Sequence, residues 1–477
     1  MNRSLLEKRL SLRSDFIITG VNGIGTVLGI FVVSGYLART LGLDALGEYL
    51  LVRRTVTSSL GVLLFGLNVA LPALIAKNEE RGFGDAAVAI FALGTVPLIF
   101  LIAAIANFDF LTLRITPSYI LFTTGFCLLT VAYALYRGHL NMVGANLLQL
   151  IAGTVVSIVA AYLASSVDQL LLMIGLGMMV ISGFAFLHRN RGFHITRITG
   201  RETTTLLKFG LVRVPGLLFQ FFLLAGAPLL AFSYISLTDQ AFLNAGISLV
   251  RSFLMVVGPL GIVLLPRVSS GMSAGKNERL RANLSLLVKA TLYHAAVIGL
   301  ALSYLSGEIL DLWLGGVTEK GIAASEILLL SVPFFVICVV LRSPIDGGSE
   351  RGYNSGIYGV GVAVMIGVFL MKIWTDSDPL MAAAWAFLGG YIVAGVGSLL
   401  IGEKLFKLKV LTGRYVISLA IALLSVLILF WLNPWTGVWK LSIFFGSVIM
   451  LSLLQFFFSK EKWVVALREI LGRKPSM

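Results

Sequence analysis

The sequence predicts an all-α polytopic membrane protein of about fourteen transmembrane helices, arranged as two six-helix lobes related by an internal repeat plus a C-terminal helix pair. Three observations predict it. The 477 residues are 58% hydrophobic and only 13% charged, with a mean hydropathy of +0.95, which is more apolar surface than a soluble core can hide. Apolar windows near the roughly 20 helical residues that span a hydrocarbon core recur along the chain, separated by short charged or turn-rich breaks. Lys and Arg collect in alternate breaks, as a membrane-threaded chain requires. The windows are continuous, whereas a membrane barrel would alternate in segments of about ten residues.

The first window, 16–38, is longer than the roughly 7–15 residues of a signal-peptide core and is followed by Arg39 instead of a small-residue cleavage site. It reads as a retained first span. Windows 49–76, 86–106, 119–136, 142–165 and 169–187 complete a first lobe over residues 1–190. A basic cytoplasmic linker occupies 191–205. Windows 209–235, 241–266, 284–305, 322–341, 353–371 and 380–401 make the second lobe over 206–402. Residues 403–477 hold the last pair, 415–432 and 441–458, joined by the turn Asn433-Pro434-Trp435-Thr436-Gly437. Beyond it Trp463, Val464, Leu467, Ile470 and Leu471 recur at helical spacing among Lys462, Arg468, Arg473 and Lys474, the pattern of a cytoplasmic amphipathic tail lying on a membrane.

A net charge of +14 raises the question of nucleic acid, but the basic residues sit in loops and form no groove, so no nucleic-acid partner is expected. With the N-terminus inside, 28 of the 37 Lys and Arg fall in cytoplasmic segments, and the opposite side holds only Arg39, Arg114, Lys320, Lys372 and Lys440. One miscounted span would invert that alternation, so both termini are expected in the cytoplasm. Leu51-Val52-Arg53-Arg54 is answered by Leu249-Val250-Arg251-Ser252, and Pro72 by Pro266. Six spans per half give the two halves the same orientation, related by an axis along the membrane normal. Cys127 and Cys338 both lie inside apolar windows, which excludes a disulfide framework and a Cys-based metal site.

No nucleophile with its base, metal cluster or phosphate loop is legible, and no catalytic residue, metal or cofactor is expected. Gly25 and Gly29 fit helix packing. The informative residues are four cations inside apolar windows, Arg53, Arg54, Arg213 and Arg251. An Arg at mid-helix costs about 2.5–3.5 kcal/mol on insertion scales, so it faces a bundle interior or a wet cavity unless it snorkels to the interface. Arg213 follows Lys208 closely enough for either reading. Arg53 and Arg54 lie about 100° apart on a helix, and Arg53 is the repeat partner of Arg251. Glu48, Asp239 and Glu326 fall near outer ends, leaving a cationic interior suited to an anionic substrate. Asn22, Asn68, Asn146, Gln149 and Gln220 fit either a polar path for sugar hydroxyls or interhelical hydrogen bonds. His294 fits either a proton shuttle or a packing histidine.

The run from Tyr36 to Tyr49 (Tyr-Leu-Ala-Arg-Thr-Leu-Gly-Leu-Asp-Ala-Leu-Gly-Glu-Tyr) resembles the signature after the first helix of bacterial polysaccharide, or O-antigen repeat-unit, flippases. These form the polysaccharide transporter branch of the multidrug/oligosaccharidyl-lipid/polysaccharide exporter superfamily. Leu206-Leu207-Lys208-Phe209-Gly210-Leu211 and Met381-Ala382-Ala383-Ala384-Trp385-Ala386-Phe387 are similar to the same family. The resemblance implies two lobes around a V-shaped cavity lined by helices one, two, seven and eight, working by alternating access in the bacterial inner membrane. It implies an undecaprenyl-pyrophosphate-linked oligosaccharide as cargo, its pyrophosphate held at matching positions by Arg53, Arg251 and Arg213; the windows themselves add Arg54 as a candidate ligand and Asn22, Asn68, Gln220 and His294 as candidate polar lining. Membrane lipids and a polysaccharide polymerase would be its partners, and the coupling ion, H+ or Na+, stays open. The peptidoglycan-precursor branch usually carries a basic residue in helix one, and 16–38 has none. A lipid II flippase and a cation-coupled multidrug exporter remain as alternatives. A membrane glycosyltransferase or ligase would want an outer-loop acid, for which Asp311 is the candidate.

Overall fold

Long apolar runs with few breakers become long helices, and the computed structural model describes little else over residues 12–78, 82–107, 115–190, 192–194, 200–254, 277–349 and 352–431, with Gly446 beyond them. Among these residues nine helices are long and apolar enough to cross a membrane, or eleven if each of two bent pairs is one span. The window 441–458 apart from Gly446, the second half of 241–266 and the amphipathic tail lie outside the described residues. Large apolar side chains face outward along the helices, Phe184 at 74% and Val180 at 71% exposure, as only a lipid-facing surface tolerates. The chain is a multi-pass membrane protein.

The helices divide into two compact units, residues 1–244 and 245–477. In the first, α1 (Leu12–Thr40) carries Thr19, Asn22, Gly25, Thr26 and Gly29 at helical spacing. That stripe packs on α7 (Met142–Leu148) and on the wide-turn segment Gln149–Val155 that continues it. Asn22 Nδ2 donates to Asn146 Oδ1 at 3.1 Å and Gln149 Oε1 at 3.0 Å, and Asn146 Nδ2 donates to Thr19 Oγ1 at 3.1 Å. In a membrane such bonds contribute about 0.6 kcal/mol each, enough to fix rotation without locking the pair.

The window 49–76 is not one helix. It is α2 (Leu43–Leu63) and α3 (Leu67–Asn78), bent by 51° at Leu64–Gly66. Gly66 N donates to Gly61 O and Phe65 N to Val62 O, a Schellman-type end with Phe65 at φ 52° and Gly66 at φ 77°. Phe65 in this region costs about 1 kcal/mol or more. The carbonyl of Leu63 is taken by Thr95 Oγ1 at 2.9 Å. Thr95 belongs to a wide-turn segment, Phe91–Thr95, between α4 (Gly82–Ile90) and α5 (Val96–Asn107). The third span therefore begins before residue 86 and takes in Asp85, which is fully buried. Asp85 Oδ1 accepts from Asn190 Nδ2 at 2.7 Å and from the His194 backbone N–H at 3.2 Å.

The fourth span is α6 (Pro117–Gly138), the fifth ends in α8 (Val156–Leu163), and the sixth is α9 (Val167–Asn190), packed against α6. The window 209–235 is likewise interrupted. Its first residues close the amphipathic α10 (Gly200–Leu211), and the apolar helix proper is α11 (Val214–Ala231). Because α10 packs on α3 and α4 and α11 packs on α2, both belong to the first unit, whose boundary falls inside α12 (Leu237–Ser252). Gly66 and Gly210 permit this packing: a Cβ on Gly210 would stand 2.2 Å from the carbonyl oxygen of Phe65.

The second unit contains α13 (Asn277–Tyr304), α14 (Ser306–Leu314), the pair α15 (Glu319–Leu329) and α16 (Val332–Gly348) bent by 41°, α17 (Tyr353–Trp374), α18 (Pro379–Phe406) and α19 (Gly413–Trp431). A core of Tyr293, Val297 and Ala301 on α13 and Leu305 just after it with Tyr415, Ala422 and Val426 on α19 ties the thirteenth window to the ninth. Tyr415 OH donates to Lys289 O at 2.8 Å.

Candidate functional site

Helix α2 carries the two adjacent arginines that the sequence singles out, and their helical offset sends them to different surroundings. Arg54 is buried at 4% exposure and reaches α12, where Nε donates to Asn244 Oδ1 at 2.5 Å and Nη2 to Asn244 O at 2.7 Å. Asn244 Nδ2 donates to Gln240 O at 2.9 Å and to Gln240 Oε1 at 3.2 Å, which turns the Asn244 amide oxygen toward the guanidinium. Gln240 Nε2 in turn donates to Pro228 O at 2.9 Å on α11. That carbonyl is open to a side chain because Phe232 N bonds Leu229 O and so closes the last turn of α11 more tightly. A hydrogen bond to a charged donor contributes about 1.5–3 kcal/mol, so two of them offset most of the insertion cost of a mid-helix Arg.

Arg53 is half-buried, and its Nε is buried without a hydrogen-bond partner among the described residues. Ser58 Oγ further along α2, Asn68 Oδ1 on α3, and Asn22 Oδ1 and Thr26 Oγ1 on α1 are also buried polar atoms without partners. Such atoms are few in native interiors and mark water or ligand contacts. Gln220, half-buried on α11, lies one turn beyond Leu217, whose side chain packs on Gly61 of α2. Ser58 and Gly61 are likewise one turn apart.

Arg213 caps the start of α11 in the break after α10 and is exposed. Its Nη1 donates to Phe209 O at 2.7 Å and its guanidinium lies 3.8 Å from the centre of the Phe209 ring. It thus sits over the last carbonyls of α10, where a cation is favoured. Arg251, half-buried in the last turn of α12, and His294, half-buried on α13 with Nδ1 2.8 Å from Ala290 O of its own helix, belong to the second unit.

The carboxylates near the start of α2 are engaged. Tyr119 OH donates to Glu48 Oε1, and Thr116 Oγ1 and Ser118 Oγ donate to Asp168 Oδ1 at 2.9 and 2.5 Å. Gln240, Asn244, Asp85 and Asn190 are the polar residues that reading the windows passed over. The signal for the first two was present: amides at i and i+4 on one face of an otherwise apolar helix. No group of three or more His, Cys, Asp or Glu able to hold a metal occurs among the described residues.

The fold is similar to that of several solved membrane transporters. The lipid II flippase MurJ in an inward closed conformation matches with a TM-score of 0.72 at 13% identity, over 93% of this chain and 99% of that one. A mutant of the Vibrio cholerae MATE transporter VcmN matches at 0.59 and 16% identity over 85% and 98%. An inward-facing multidrug resistance MATE family transporter of the MOP superfamily matches at 0.63 and 13% over 83% and 100%. At these identities the likeness is one of fold. No family model and no curated relative matches the sequence.

Proposed function

We propose that the protein is a flippase that carries an undecaprenyl-pyrophosphate-linked oligosaccharide across the bacterial cytoplasmic membrane by alternating access, with both termini in the cytoplasm. The observation that carries this reading is Arg53, a guanidinium within a spanning helix whose buried Nε has no acceptor among the described residues. A planar fork of this kind pairs with phosphate oxygens through charge-assisted, often bidentate bonds. Asn68 and Gln220, in the same unit, would meet the sugar hydroxyls in this scheme. The polyprenyl chain stays in lipid while the headgroup crosses.

Lipid II is the second reading, favoured by the fold likeness to the lipid II flippase over more of the chain than either MATE transporter. Both cargoes present the same pyrophosphate. Purified protein reconstituted in liposomes with a fluorescent lipid-linked oligosaccharide, lipid II or a cationic dye separates the readings. Flipping of the oligosaccharide, scored by accessibility to an external glycosidase, supports the first. Flipping of lipid II alone moves the assignment to the second, and export of the dye alone defeats the anionic-cargo reading.

A further inference from the structure

Helices α2 and α12 start at the same end of the first unit and meet there at three places. Thr238 Oγ1 donates to Asp44 Oδ1 at 2.6 Å. Gly47 lies so close that a Cβ there would stand 1.9 Å from Leu237 O and 3.1 Å from Ala241 N. Ten residues along from Asp44, Arg54 grips Asn244 through its buried fork. At 1.5 Å per residue these ties span about 15 Å of α2 and about 9 Å of α12, against a hydrocarbon core of about 30 Å. At Gly47 the two backbones leave no route for a headgroup between them. A protein working by alternating access must part this seam once in every cycle.

We infer that the Arg54–Asn244 pair is an anion-released latch on this seam: a pyrophosphate drawn to Arg53 takes the Arg54 guanidinium from Asn244 and lets α2 and α12 separate. The inference rests on the flippase reading and adds to it a positioning residue that ties opening to cargo. Its basis is the chemistry of the grip. On α12 the fork meets an amide oxygen and a backbone carbonyl, both neutral, and the amide is held in that rotamer by Gln240. A phosphate oxygen is the stronger acceptor for a guanidinium, since hydrogen bonds between ionised partners are roughly twice as strong as neutral ones. Arg53 and Arg54 diverge by about 100°, so one can receive the anion while the other still holds the seam. An unloaded carrier stays shut, and a loaded one opens.

Spin labels at Asp44→Cys and Thr238→Cys report the seam directly, and the native Cys127 and Cys338 are buried and out of the reagent's way. In the otherwise unchanged protein the labels should give a single short distance, and inorganic pyrophosphate should convert part of that population to a longer one. Asn244→Asp replaces the neutral acceptor by a charged one, so the short distance should persist in pyrophosphate and flipping should slow by about tenfold or more. Asn244→Ala should show the long distance without any anion. Arg54→Lys should keep an intermediate response, because an ammonium supplies the charge without the fork. Circular dichroism and size-exclusion profiles check that each variant is folded, and Asn244→Asp serves if Asn244→Ala is not. The latch is overturned if folded Asn244→Asp separates in pyrophosphate as readily as its parent. A seam that answers pyrophosphate in a protein that flips no lipid-linked sugar would keep the latch and sink the flippase assignment instead.

Discussion

Two neighbouring arginines on one helix do different work because a helix turns by about 100° per residue. Arg54 is held to Asn244 across to α12, whereas the buried Nε of Arg53 has no acceptor among the described residues. Arg53→Ala should lose most flipping while membrane abundance stays near normal, and Arg53→Lys should retain a fraction of it. Transport at the parental rate in both variants would remove Arg53 from the proposed pyrophosphate site. A second residue-scale test concerns Asp378, the N-cap of α18, whose Oδ1 accepts from Leu380 N at 2.9 Å and whose Oδ2 meets Lys320 Nζ at 2.6 Å. Burial pushes its pKa up, but the Lys320 hydrogen bond and charge and the Leu380 and Met381 N–H groups outweigh that and hold it below 3.8. A depressed carboxylate contributes stability that is complete above its unfolded pKa and is lost as pH falls through the folded one. Lys320 is 68% exposed, so solvent screens the pair and its contribution is below about 1 kcal/mol. Asp378→Asn, which keeps a cap but removes the charge, should lower stability slightly at pH 7 and match the parent in strong acid. Asp378→Ala should cost about 1 kcal/mol at neutral pH. Thermal melts across pH in detergent would read both.

At the scale of elements, the breaks matter more than the helices. The α2–α3 bend and the α10–α11 break meet glycine to glycine, with Thr95 covering the freed Leu63 carbonyl. An added methyl at Gly210 would press on the Phe65 backbone, which has no flexible end to move aside. Gly210→Ala should therefore destabilise the protein by about 1–3 kcal/mol, as overpacking does. Gly356→Ala, on α17 where a Cβ meets nothing within 4 Å, should stabilise by about 0.5–1 kcal/mol through helix propensity. Melting temperatures of the two variants should move in opposite directions. Equal shifts would mean that the glycine contact does not constrain the break.

For the whole molecule, topology is the commitment that charge supports best. Reporters fused after Arg201, Lys276 and Lys409 should behave as cytoplasmic, and those after Asp168, Lys320 and Asn433 as external. Two or more inverted reporters would break the fourteen-span scheme. The fold likeness to transporters covers 83–93% of the chain, so the bundle as a whole is what the chain shares with them.

The sequence by itself determined that this is a helical membrane protein, roughly where its spans lie, and that its interior cations lie within spans, because hydrophobic length and charge are additive along the chain and need no knowledge of neighbours. It also showed Gly25 and Gly29 as packing residues, and the structure seats Gly29 on Thr154. The breaks and the partners, by contrast, follow from packing. Phe65 is no helix breaker by propensity, and it takes up the left-handed region because Gly66, Thr95 and Gly210 meet there. Asp85 counted as a loop residue until Asn190 and the His194 backbone N–H, more than a hundred positions away, gave it a buried place. The helical offset separated Arg54 from Arg53, but only the fold supplied its partner, Asn244, 190 residues on. A buried polar group is settled by whichever donor or acceptor the fold brings within about 3 Å, and that distance is a property of packing, not of order along the chain.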